Sequence, residues 1–88
     1  MARWPGKIPA GVTNNEPMHL VDWYPTLLNL VGGSAVQKLP VDGLDVWPML
    51  TQGAQSRHKD ILLMGSQPGQ SAIRIGDWKL LINPSCAI

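Results

Sequence analysis

Residues 22 to 33 read Asp-Trp-Tyr-Pro-Thr-Leu-Leu-Asn-Leu-Val-Gly-Gly. Asp22 is a good N-cap, Pro25 falls in the first helical turn where its missing N–H costs nothing, and Gly32-Gly33 supplies a left-handed stop. The pattern predicts a helix over about 22–32. On it Asp22, Thr26 and Asn29 fall at i, i+4 and i+7 and make one narrow polar stripe. The remainder is apolar, with Tyr24, Leu27, Leu28 and Val31 on one face and Trp23, Leu27 and Leu30 on another. A helix of that kind is expected to be enclosed on most sides. A chain of 88 residues forms one domain at most and buries only roughly two-thirds of its unfolded surface. It can hardly enclose such a helix unaided.

Composition sharpens the mismatch. Hydrophobic residues make up 44% of the chain and charged residues 15%, a balance that argues against intrinsic disorder and for burial against something else. The net charge of +1 arises from seven basic and six acidic residues scattered singly. That leaves no electrostatic footprint for nucleic acid and no polybasic membrane patch, so neither partner is expected. The single cysteine, Cys86, excludes an intramolecular disulfide framework and a thiolate cluster for zinc. No apolar run reaches a membrane span, and the opening Met-Ala-Arg-Trp-Pro-Gly lacks the apolar core of a signal peptide.

The other elements are short. Residues 1 to 18 hold Pro5, Gly6, Pro9, Gly11, Asn14, Asn15 and Pro17 and read as an exposed connection, with a short extended piece around Arg3 and Trp4. After a loop ending in Asp42-Gly43, a second helix is expected over about 46–52, capped by Asp45, with Pro48 in its first turn and Gly53 closing it. Ile61 to Met64 form a short apolar run consistent with a strand. The Gln67-Pro-Gly-Gln70 turn separates it from a hairpin over about 72–82, with Gly76-Asp77 as its two-residue turn.

None of the candidate sites assembles into chemistry. His19 and Asp22 lie three apart, but a metal site needs at least one more ligand and a base pair needs a nucleophile. Helix capping accounts for Asp22, leaving His19 in the lead-in as a polar contact. Asp42 and Asp45 lack the ligand series of a calcium loop and read as turn and cap. Arg57-His58-Lys59 could touch a sulfate or phosphate, yet reads as a solvated loop, and Arg74 and Lys79 read as solvated sheet surface. Trp4, Trp23, Trp47 and Trp78 read as core anchors rather than a sugar platform. Cys86, preceded by Asn83-Pro84-Ser85 and followed by Ala87-Ile88, has no activating base.

The order of segments carries more. Arg3-Trp-Pro-Gly-Lys-Ile-Pro-Ala-Gly11, His19 to Gly32, Leu39-Pro-Val-Asp-Gly-Leu-Asp-Val-Trp47 and Ala72-Ile-Arg-Ile-Gly-Asp-Trp-Lys-Leu-Leu81 together resemble the later part of the sulfatases. The resemblance is nearest to the arylsulfatase B, or N-acetylgalactosamine-4-sulfatase, type. It covers nearly the whole chain except the last half-dozen residues.

The resemblance implies a sulfuric ester hydrolase of the alkaline-phosphatase-like α/β fold, using a calcium ion and a cysteine-derived formylglycine as nucleophile. In such a fold residues 1–56 are expected to end the large α/β domain. Residues 57–88 are expected to begin the small C-terminal antiparallel sheet. The family's nucleophile lies in a Cys-x-Pro-Ser-Arg motif near its N-terminus, and its metal ligands are an Asp-Asp and an Asp-Asn pair. This sequence contains neither the motif nor either dipeptide. Nor does Lys7 occupy the position of the family's sulfate-contacting lysine, which precedes the Trp-Pro-Gly segment.

No catalytic, cofactor-binding or metal residue is therefore expected among these 88, which resemble a sulfatase from just after its last catalytic residue. Met1 is expected to be an internal or artificial start. The expected partner is the missing N-terminal part, which would cover the apolar helix, and a sulfated substrate belongs to the parent alone. Relatives of this kind are lysosomal, secreted or periplasmic, and this chain carries no such address. Two other readings stay open: a short interaction module docking through the apolar helix, and a phosphodiester or phosphonate hydrolase of the same superfamily.

Overall fold

The computed structural model describes residues 1–65 and 69–82. It combines helices with a small antiparallel sheet and divides into two compact units, Met1–Arg57 and His58–Ile88.

In the first unit the main helix starts where the sequence pattern places it and ends two residues short of the expected 32, with a 3-10 turn ahead of it. A 3-10 turn, Leu20–Asp22, leads into α1, Trp23–Leu30. His19 is its N-cap. The Asp22 carboxylate accepts the His19 N–H at 2.7 Å and the His19 ring accepts the Val21 N–H at 3.3 Å, which closes a capping box. The helix ends as its glycines require. Gly32 takes a φ of 77°, its N–H donates to the Asn29 carbonyl and the Gly33 N–H donates to the Leu28 carbonyl, the paired bonds of a Schellman stop.

The second helix, α2, spans Trp47–Gln52 and closes at left-handed Gly53. Asp45 stands one residue before the N-cap position, and its carboxylate accepts the Trp47 N–H at 2.9 Å. It supplies the oxygen that Val46, the cap residue itself, lacks.

The N-terminal connection is less open than its Gly and Pro content suggests. The Lys7 and Ile8 N–H groups both donate to the Trp4 carbonyl, which turns the chain where a short extended piece was expected. Further along, Asn14 Nδ2 donates to the Met49 carbonyl at 2.8 Å, and Glu16 accepts the Ser56 N–H at 2.8 Å. Two side chains thus pin the lead-in to α2 and to the residues after it.

The second unit is a three-stranded antiparallel meander of β1, Ile61–Met64, β2, Ser71–Ile75, and β3, Trp78–Ile82, in that order. Ile75 pairs with Trp78 around Gly76-Asp77, and Gly76 takes the positive φ such a tight turn needs. The turn expected at 67 to 70 lies partly outside the described residues, as does Cys86. Register puts Leu62, Ile73 and Leu80 in one cross-strand row and Met64, Ser71 and Ile82 in another. With Ile75 and Trp78 they share one face, because side chains alternate along a strand. That face is apolar except for Ser71.

Candidate functional site

The buried interior of the first unit is polar as much as apolar. Asp22 and Thr26 are fully buried beside Val46 and Met49. These two are members of the stripe on α1, and each is occupied by backbone donors. Asp22 Oδ1 accepts the Leu44 N–H at 2.9 Å, while Oδ2 holds His19. Thr26 Oγ1 donates to the Asp22 carbonyl at 2.7 Å and accepts the Val46 N–H at 3.0 Å. Asn29 Nδ2 donates to Asp45 Oδ2 at 3.0 Å. One helical stripe at i, i+4 and i+7 therefore clasps the segment 44–46 by two main-chain groups and one side chain.

This arrangement corrects the sequence reading of Asp22. The carboxylate makes no cap bond at the start of α1; it joins the preceding turn to a segment more than twenty residues away. The chain does not enclose the helix by itself: Trp23, Leu28 and Leu30 are half-buried, and the side that carries Tyr24 and Leu27 stays open. Leu20, Tyr24, Leu27 and Val31 are all more than half exposed. The polar stripe turns inward because of the segment it meets. Its N–H groups lose water as the unit closes and must find acceptors, and only the polar stripe supplies them.

Gly43 makes the clasp sterically feasible. A Cβ there would lie 2.1 Å from the Val21 carbonyl oxygen and 3.0 Å from the Asp22 Cα. The loop thus presses its backbone directly onto the turn before α1, a fit open only to glycine. Gly33 is a milder case, where a Cβ would meet the flexible end of Leu28.

The described residues contain no group of three or more His, Cys, Asp or Glu placed to hold a metal ion. Both oxygens of Asp22 and both of Asp45 already accept or face protein donors. Among the described residues, the side chains do not fit the calcium ion that the sulfatase resemblance implies. Asp42, Arg57 and Lys59 lie exposed. Arg74 and Lys79 are exposed and directly opposite each other, and Arg74 Nε turns to the Gly76 carbonyl at 2.9 Å, which eases the apposition of two like charges.

The tryptophans divide. Trp23 and Trp47 are half-buried, and Trp47 meets the Trp4 ring at a centroid distance of 5.6 Å and a tilt of 57°, a favourable aromatic geometry. Trp78, expected in a core, is 84% exposed. A groove of about 510 Å³ runs along the first unit, lined mainly by apolar side chains that include Ile8, Val12, Met18, Trp23 and Met49. Asn14 and Thr51 in its wall are already bonded to main-chain carbonyls. The groove carries no convergent set of reactive groups.

No family model matches this chain. Among curated proteins it is 34% identical to arylsulfatase J of Mus musculus over 90 aligned positions, covering 81% of this chain and 15% of that protein. It is 46% identical to arylsulfatase D of Homo sapiens over 54 positions, 61% of this chain and 9% of that protein. With arylsulfatase G of Canis lupus familiaris the identity is 30% over 84 positions, 90% of this chain and 16% of that protein. The relatives are thus sulfatases, matched at modest identity along part of the chain. The chain spans less than a fifth of the length of each.

Proposed function

We propose, from its similarity to a short stretch of the arylsulfatases, that this chain is a segment of a sulfuric ester hydrolase that does not itself perform the reaction. The observation that carries the reading is the disparity of coverage: 81% of this chain aligns with 15% of arylsulfatase J. The parent would have the alkaline-phosphatase-like α/β fold, with residues 1–56 ending its large domain and 57–88 beginning its small sheet. It would act on sulfate esters, with sulfated sugars as the substrate class. The narrower resemblance to the N-acetylgalactosamine-4-sulfatase type rests on the four sequence segments alone.

In this reading the formylglycine nucleophile and the calcium ion belong to parts of the parent outside these residues. Without the nucleophile there is no covalent sulfate step. Without the cation the charge on the sulfuryl oxygens goes uncompensated. The chain's own contribution is structural. Its clasp around Asp22 and Thr26 fixes α1, and the apolar faces of α1 and of the sheet offer surface for the rest of the parent to cover.

Two measurements test the two halves of the proposal. The purified 88 residues are expected to release no 4-nitrophenol from its sulfate ester, and metal-dependent release would overturn the claim of inactivity. The intact mass of the native product, captured with an antibody against residues 72–82, is expected to be several times that of this chain. A product near 9.6 kDa would instead favour an interaction module. The observation on that side is the exposure of Tyr24 and Leu27 on α1 and of Val31 just after it, the kind of apolar surface that marks a docking site.

A further inference from the structure

The Asp42–Gly43 peptide combines two opposed properties. Locally it is open to attack by its own backbone. Asp42 is exposed, its carboxyl takes no hydrogen bond from the described residues, and the Gly43 N–H donates to none of them. Gly43 also has no side chain to obstruct an approach. Yet the same glycine is buried and wedged against Val21 and Asp22, and the next N–H, of Leu44, is held by Asp22.

We propose that Asp42–Gly43 is a site of isoaspartate formation that the folded first unit holds closed, and that the modification, once made, prevents the unit from re-forming. The Gly43 nitrogen attacks Asp42 Cγ, a new C–N bond forms, and the carboxyl oxygen leaves as water with the amide proton. Water then opens the resulting succinimide. Cleavage of the bond from nitrogen to Cγ restores aspartate, whereas cleavage of the bond from nitrogen to the Asp42 main-chain carbonyl carbon leaves the chain running through Cγ. No oxidant or reductant is involved.

Ring closure requires the peptide to rotate about the Asp42 Cα–C bond and carries Gly43 with it. The Val21 carbonyl stands in the way. The isoaspartyl product inserts one carbon into the main chain between Asp42 and Gly43. The N–H groups of Leu44 and Val46 then no longer meet Asp22 and Thr26 together, as they do in the closed clasp.

The test is to hold the 88-residue chain in near-neutral buffer, with and without guanidinium chloride, and to follow isoaspartate at position 42 by peptide mapping with electron-transfer fragmentation. Isomerisation is expected to be at least about tenfold slower in native buffer, because it proceeds only from the opened unit. Thr26→Val, which loosens the clasp, is expected to move the native rate toward the denatured one. Gly43→Ala is expected to slow the reaction in guanidinium, where folding plays no part. The isolated isoaspartyl chain, returned to native buffer, is expected to leave the Leu44 amide unprotected from hydrogen exchange. Equal rates in the two buffers, or normal protection of Leu44 in the modified chain, would overturn the proposal.

Discussion

The Val46 N–H donates to the hydroxyl of Thr26 at 3.0 Å across twenty positions of sequence, and both residues are fully buried. The hydroxyl is used twice, since it also donates to the Asp22 carbonyl. Thr26→Val keeps the shape and removes both bonds, leaving a buried donor without an acceptor. The expected loss is about 1–3 kcal/mol. Thr26→Ser retains the hydroxyl and should lose less. Denaturant midpoints of the two variants decide the matter, and equal stability would count against the clasp.

Asp22 answers two donors with two equivalent oxygens. Asn has one oxygen, so Asp22→Asn must turn an NH2 toward either His19 or Leu44. A cost of about 1–3 kcal/mol is expected from the unmatched donor. Hydrogen exchange at the Leu44 and His19 amides should report it directly, with at least one of them exchanging faster than in the parent sequence.

Two glycines should respond differently to the same change. Gly53 adopts a positive φ with open space around it, so Gly53→Ala is expected to cost about 1 kcal/mol from backbone conformation alone. Gly43→Ala adds a collision with the main chain at Val21, which no side-chain rotation relieves. Its cost should be the larger, about 3 kcal/mol or more. Thermal midpoints compared in parallel give the ranking, and a reversed order would contradict the packing of the loop.

On the sheet, Trp78 and Leu80 lie uncovered on the same face, at 84% and 60% exposure. Replacing them with lysine removes exposed apolar surface at the expense of their cross-strand contacts with Ile75 and Ile73. Trp78→Lys with Leu80→Lys should therefore raise the solubility of the isolated chain and lower its binding of the dye ANS. Unchanged dye binding would place the sticky surface elsewhere.

Much of this architecture is legible from sequence because its signals are local. Gly32-Gly33, Gly53 and Gly76-Asp77 mark chain reversals by backbone conformation, and Pro48 needs only its own turn to be placed. The run from Ile61 to Met64 and the two halves of the hairpin follow from apolar, β-prone composition. What the pattern of α1 does not reveal is which side faces inward. Binary patterning sends apolar faces to the interior, and here Asp22 and Thr26 go there instead, because the unit's closure is governed by N–H groups of Leu44 and Val46 that no reading of the helix alone contains. The local pattern makes Asp22 a cap for the same reason: its second donor is distant in sequence. One signal was available, since the stripe positions 22, 26 and 29 hold three short side chains able to bond main-chain groups. The sulfatase resemblance came from the order of four segments, not from any one of them.

The meander joins each strand only to its neighbour in sequence, so its pairing closes no long loop, and such local topologies order early in folding. Its apolar face is therefore complete as soon as the three strands have paired. The hazard lies in that order: a sheet finished early, with Trp78 and Leu80 uncovered, stands available to any other chain that meets it.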